Sequence, residues 1–203
     1  LNTWLDEQYA EQLESSPMTK TRLGDKSDYD QLDDYSVAAE QADLEWLRSS
    51  VAEMESTFDV DALNDDGKLS YAMWQFSLER AEAGVPFRQH GYIFGRGGPH
   101  AYLPNFLINF HRVDTVADLE AYVARLGEID RIFDQLLERS RAASAAGIRQ
   151  PRFGYDFALA EIERVTAGAP FSSSDSSPNS PLWTDLQDKT SALVDEGLLD
   201  AED

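Results

Sequence analysis

All three histidines of the chain fall in one stretch, "HGYIFGRGGPHAYLPNFLINFHRV", residues 90–113. Imidazoles gathered like this could bind a metal or line an active-site cleft. Zinc sites on helices use a His-Glu-x-x-His pattern, which sets two rings on one face with a carboxylate beside them. Here the spacings are ten and eleven residues, and the neighbours read "HGY", "HAY" and "HRV", without Glu. The pattern does not fit a three-histidine metal site, and no metal ligand is assigned in this chain. Two readings remain: each histidine hydrogen-bonds a loop backbone, or the stretch faces a cleft. "GRGGP" supplies backbone that can approach a ligand closely, and "LPNFLINFHRV" follows with Asn105, Asn109, His111 and Arg112. The candidates for a cleft wall are therefore His90, His100, Asn109, His111 and Arg112. Arg112 has two roles open to it: pairing with a nearby carboxylate, or holding a substrate carboxylate or carbonyl in a bidentate grip.

A second motif, "NDDGKLS", looks like half of a calcium loop. With Gly67 at the sixth position of an EF-hand, the first falls on Ala62 and the twelfth on Met73, where oxygen donors are required. A helix start, with Asp65 and Asp66 favoured by the dipole, explains it better. The many other carboxylates sit mostly on solvated helix faces, and no pair stands out as an acid–base couple.

The elements that must position these residues are helices. "LNTWLDEQYAEQLE" spaces Leu1, Trp4, Leu5, Tyr9 and Leu13 helically. Pro17 starts a short helix that Gly24 stops, and "DKSDYDQLDDY" reads as an acidic loop. Ser36 opens a long helix with Val37, Leu44, Leu47, Val51, Met54 and Phe58 on one face. Asn64 caps the next, whose expected core face is Leu69, Met73, Phe76 and the stem of Arg80. Thr115 and Asp118 form a capping box for the longest helix, to Gly147, with Val116, Leu119, Val123, Leu126, Ile129, Phe133, Leu136 and Leu137 as its stripe. A helix over about 155–166 buries Leu159, Ile162 and Val165, and one from Ser180 runs through Leu186 and Leu193. Residues 172–180, "SSSDSSPNS", read as a flexible linker. Strand-like alternation is confined to a weak trace at 92–94. The fold class is all-α: a multi-helix, bundle-like array with one long irregular loop at about 85–113.

The chain has 203 residues, with 17 Lys and Arg against 38 Asp and Glu, a net charge of -21. Such a surface repels phosphate backbones and anionic membranes, so nucleic acid is excluded as a partner. Without cysteine there are no disulfides, thiolate zinc sites or thiol nucleophile. No apolar run is long enough to span a bilayer. The start at Leu1, already in helical sequence, and the end at "LLDAED" are expected of a piece of a longer protein.

"WLDEQYAEQLESSPMTKTRLG", "LSYAMWQFSLE", "FRQHGY", "LPNFLINFHRV", "AYVARL" and "AGIRQPRF", in this order, resemble the bacterial domain-of-unknown-function family eight-eight-five, many members of which are described as lipoproteins. The resemblance covers Trp4 to about Leu193. It implies that 1–203 is the N-terminal helical region of a longer zinc-metallopeptidase-like protein whose His-Glu and Gly-His-His zinc stretch lies downstream. That motif is absent here, so no catalytic residue is carried over onto this chain, which is expected to be inactive alone. Zinc is implied for the full-length protein. The resemblance also implies the rest of the polypeptide as partner, a peptide as substrate, and export to the periplasm or a lipid-anchored place at the cell envelope, with the cytoplasm as alternative. The alternative function is an independent helical binding module without chemistry. An enzyme using a carboxylate pair of its own is a third class.

Overall fold

Local signals start and stop the helices. The computed structural model of the protein describes residues 1–172 and 178–200. In chain order the helices are α1 (Asn2–Glu14), α2 (Pro17–Leu23), α3 (Val37–Thr57), α4 (Asp65–Gly84), α5 (Pro99–Phe110), α6 (Val116–Ala145), α7 (Arg152–Val165) and α8 (Pro181–Asp195). The architecture is all-α, and no strand occurs among the described residues, 92–94 included. The Ser36 hydroxyl accepts the Ala39 N–H at the start of α3, and the Asn64 side chain accepts the Gly67 N–H at the start of α4. Each satisfies an amide that the first helical turn leaves without a carbonyl. Gly24 and Gly147 take φ values of +87° and +83° just past α2 and α6, the left-handed turn that ends a helix. No helix among the described residues is long and apolar enough to cross a membrane.

The chain divides into two units. The first comprises Leu1–Ser16, Asp33–Gly91 and Gln135–Ile148. There α3 packs against α4, and buried Trp4, Met54 and Tyr71 form the core with Leu1, Leu5, Phe58, Leu63 and Trp74 against them. The aromatic rings meet edge-on: Trp4 lies 5.9 Å from Phe58 and 6.0 Å from Trp74, a geometry favoured by the ring quadrupoles. Trp74 donates its indole N–H to the buried Ser50 hydroxyl at 2.9 Å.

The second unit comprises Pro17–Leu32, Tyr92–Asp134 and Arg149–Asp203. In it α5 packs against α7 and α8. Its apolar centre includes Met18, Leu103, Phe106, Leu107, Ile132 and Leu193, each no more than 2% exposed.

Several expectations are overturned. Residues 99–110 are not part of one long irregular loop at about 85–113: they form α5, and Val85–His90 form a short 3₁₀ segment. The helix was masked by Pro104 in its interior and by burial of Pro99, His100, Leu103, Pro104, Phe106 and Leu107 on several sides, which leaves only the narrow polar strip of Asn105 and Asn109 to mark a period. On α4 the expected core face is the outer one. Leu69, Met73 and Phe76 are 61%, 61% and 57% exposed, and the opposite line, Gly67, Tyr71 and Trp74, is turned inward. On α7, Leu159 and Ile162 are exposed and the buried line is Gly154 and Ala158. A Cβ on Gly154 would meet the Gln150 side chain at 3.2 Å. On α6 the deepest line is Asp118, Tyr122, Arg125, Ile132 and Leu136, and Val123 and Leu137 are exposed. Of the stretch expected as a linker, 173–177 lie outside the described residues.

Candidate functional site

The second unit buries a polar network that begins on α6. Arg125 is fully buried, and its guanidinium is ringed by acceptors. Nε donates to the Gln31 carbonyl at 2.8 Å, Nη2 to the Thr21 hydroxyl at 2.7 Å and the Asp28 carbonyl at 3.3 Å, and Nη1 to His111 Nδ1 at 2.9 Å. Its flat face lies over the rings of Tyr29 and Phe106, 4.9 Å and 5.2 Å from their centroids. A planar fork with fixed donors suits this task, which a lysine could not perform. The segment 25–35 is a loop as expected, yet it buries Tyr29 and Leu32 because Arg125 takes up its carbonyls.

Arg125 also fixes the state of His111. Arginine keeps its protons, so Nδ1 facing it must be the bare nitrogen. The N–H is then on Nε2 and is donated to the Asp118 carbonyl at 2.9 Å. Burial, reinforced by the Arg125 and Lys189 charges, lowers the His111 pKa from 6.5 to about 4. The ring stacks on Tyr29 at 4.1 Å and meets Tyr122 edge-on at 5.3 Å. With both nitrogens engaged, His111 offers nothing to a metal or a substrate.

Asp118 closes the network. The expected capping box is formed: Thr115 Oγ1 accepts the Asp118 N–H at 3.2 Å, and Asp118 Oδ2 accepts the Thr115 N–H at 2.9 Å. The same oxygen also accepts from Lys26 Nζ at 2.9 Å and the Asp114 N–H at 3.0 Å. Burial alone would raise the pKa of this carboxyl, but these donors, Lys26 foremost, hold it below the usual carboxylate value. Further along α6, Tyr122 donates to Asp185 Oδ2 at 2.8 Å, and Lys189 joins that oxygen at 2.7 Å and the Leu107 carbonyl at 3.0 Å. Burial and the Asp185 carboxylate raise the Tyr122 pKa, so its proton stays in place.

The other predicted residues are scattered. His100, in the first turn of α5, is buried and pairs through Nε2 with Glu161 of α7 at 2.7 Å. Its Nδ1 is buried without a hydrogen-bond partner. Gly98 packs against the same ring: a Cβ there would fall 2.5 Å from the Ile93 carbonyl and 2.9 Å from His100 Cε1, so glycine is required for close approach. Asn109 is exposed and spends its amide on the Asn105 carbonyl, one turn back, at 2.9 Å. Arg112 is held by its backbone. The Tyr29 hydroxyl accepts its N–H at 2.8 Å and donates to its carbonyl at 3.0 Å, while the Arg112 side chain is exposed. His90 belongs to the first unit, is exposed, and meets Phe87 edge-on at 5.6 Å. The structure therefore brings His111 into a closed network and His100 into a separate hydrogen bond with Glu161. No constellation for nucleophilic or acid–base catalysis is assembled from the five.

Sequence reasoning missed Arg125, Tyr29 and Tyr122. The one available signal is that Asp118, Tyr122, Arg125 and Ile132 share a helix line, which places polar groups on a buried face.

The model of the family described as "Bacterial protein of unknown function (DUF885)" matches residues 17–201. No curated protein matches the chain. With nearly its whole length matched, the chain belongs to the DUF885 family.

Proposed function

We propose that this chain is a non-catalytic helical scaffold region of a larger, exported metallopeptidase-like protein, and that it docks onto the rest of that polypeptide. The observation that carries the reading is the pair of exposed apolar flanks of α7. Phe153 and Phe157, 65% and 51% exposed, lie on one side of the buried Gly154 and Ala158 line, and Leu159, 57% exposed, lies on the other with Tyr155 and Ile162. Exposed apolar side chains in this number on one helix mark an interaction surface. The buried network adds support: Arg125, His111 and Asp118 are committed to holding the segment 17–32 against α6, a structural duty. Among the described residues no three His, Cys, Asp or Glu are grouped to hold a metal ion, and both nitrogens of His111 are engaged.

A second reading, an independent interaction module, is favoured by the exposed Leu69, Met73 and Phe76 on α4, in the other unit. One experiment separates the two. The chain 1–203 is co-expressed with the remainder of its own reading frame, with and without Phe157→Asp and Leu159→Asp. Co-purification that the double variant abolishes, with peptidase activity of the intact protein lost to a chelator, supports the scaffold. Failure of the two pieces to associate sinks it and leaves the module.

A further inference from the structure

The first unit contains a cleft of about 920 Å³ between α1, α3, α4 and the 3₁₀ segment Val85–His90. This volume is in the range of small-molecule sites. Its apolar lining includes Leu44, Leu47, Val85, Trp46 and Trp74, and the two indole rings meet edge-on at 6.1 Å. Its charges are sorted. The acids Glu11, Glu14, Glu40 and Asp43 come from α1 and α3, and the cations Arg80 and Arg88 come from α4 and the 3₁₀ segment. Glu40 is bridged to Arg139 at 2.7 Å, and Arg88 Nε reaches the Val85 carbonyl at 3.3 Å. Asp43 and Arg80 form no ion pair among the described residues. The α3 wall thus offers the Asp43 carboxylate and the α4 wall the Arg80 guanidinium, neither in an ion pair, in a cleft that two indoles also line.

We propose that this cleft binds a zwitterion whose ammonium and carboxylate stand at opposite ends of an apolar spacer, the chemistry of an ω-amino acid or of a lysine at a chain end. The Asp43 side receives the ammonium, the Arg80 side takes the carboxylate in a fork-to-fork grip, and the methylenes lie on Trp46 and Trp74. Partial desolvation and the neighbouring Asp34 and Glu40 charges raise the Asp43 pKa, and a bound cation would offset that repulsion. This goes beyond the scaffold role, since it concerns the other unit and needs no catalysis.

The test is calorimetric titration of the 203-residue chain with 6-aminohexanoate, with hexanoate (no ammonium) and with hexylamine (no carboxylate). The expected result is that 6-aminohexanoate binds, and that either truncated analogue binds about tenfold more weakly or worse, as loss of a charge-assisted hydrogen bond implies. Asp43→Asn should weaken 6-aminohexanoate and hexylamine but spare hexanoate, and Arg80→Gln should do the reverse. Both side chains are exposed, and an unchanged helical circular dichroism spectrum confirms that the variants fold. A peptide ending in a free lysine, compared with its C-terminal amide, separates the sources: tighter binding of the free-ended peptide than of 6-aminohexanoate supports a chain end as ligand, and the opposite order supports a free ω-amino acid. No binding at millimolar ligand, equal affinity for all three small probes, or variants that do not discriminate between them would overturn the proposal.

Discussion

The Arg125 network and the tryptophan-lined cleft are both polar features set among aromatic rings, and they are finished differently. Around Arg125 the donors are spent on protein acceptors: two carbonyls, a hydroxyl and an imidazole nitrogen within 3.3 Å, roofed by Tyr29 and Phe106. In the cleft Asp43 and Arg80 face open space with no ion pair to each other. The first arrangement excludes ligands because no hydrogen-bonding capacity is left to offer. The second leaves capacity for one. A buried charge is tolerated only when its hydrogen bonds are made, so the closed region is architecture and the open one is where binding chemistry remains.

The comparison breaks most visibly at Arg125. Arg125→Ala leaves His111 Nδ1, the Thr21 hydroxyl and the Gln31 carbonyl without their donor, and each buried acceptor stranded in this way costs about 1–3 kcal/mol. Urea unfolding should show a loss of this size. A loss below about 1 kcal/mol, the scale of a surface ion pair, would mean that the network is not structural.

The next effect is in pH. His111 is neutral in the folded chain with a pKa of about 4, against 6.5 for the unfolded residue. The unfolded state therefore binds the extra proton between those values. The associated stability, roughly 3 kcal/mol, is fully present above pH 6.5 and is lost as pH falls toward about 4. Asp118, whose pKa is lowered, adds a loss in the same direction below its ordinary 3.8. Urea midpoints measured across this range should fall on acidification. An imidazole resonance of His111 that titrates at its ordinary value would show that Arg125 does not lock the ring.

Asp118→Ala removes the acceptor for the Asp114 and Thr115 amides. A lost cap of this kind costs about 1–2 kcal/mol, and circular dichroism on thermal unfolding should register it without loss of the fold. Smallest of all is Arg112→Lys. Tyr29 holds this residue by its backbone, so the melting temperature should not move. A clear destabilisation would show that the guanidinium has a structural contact of its own.

Much of the helical frame was legible because its signals are local. Asn64 reaches an amide three residues away, and Thr115 and Asp118 cap each other across the same separation. Gly24 and Gly147 supply left-handed turns that other residues resist. The candidate site was legible only in part. His111 was singled out, but as one of a histidine cluster, and the partners that define it are Arg125 and the Asp118 carbonyl.

The sequence by itself determined the all-α class, most helix ends and the absence of thiolate chemistry, since each depends on residues within a few positions of one another or on composition. Which side of each helix is buried was decided by the tertiary structure. Periodicity marks an apolar stripe on α4 and α7 but carries no information about what meets it. The contact went to Gly67 and Tyr71, and to Gly154 and Ala158, while Phe76 and Leu159 stayed outside. Arg125 shows the same limit from the polar side. It reads as a surface residue of a charged helix until Thr21 and Gln31, 104 and 94 positions away, supply its acceptors. Only a folded chain brings those atoms within hydrogen-bonding distance, and without them the charge would have stayed in water.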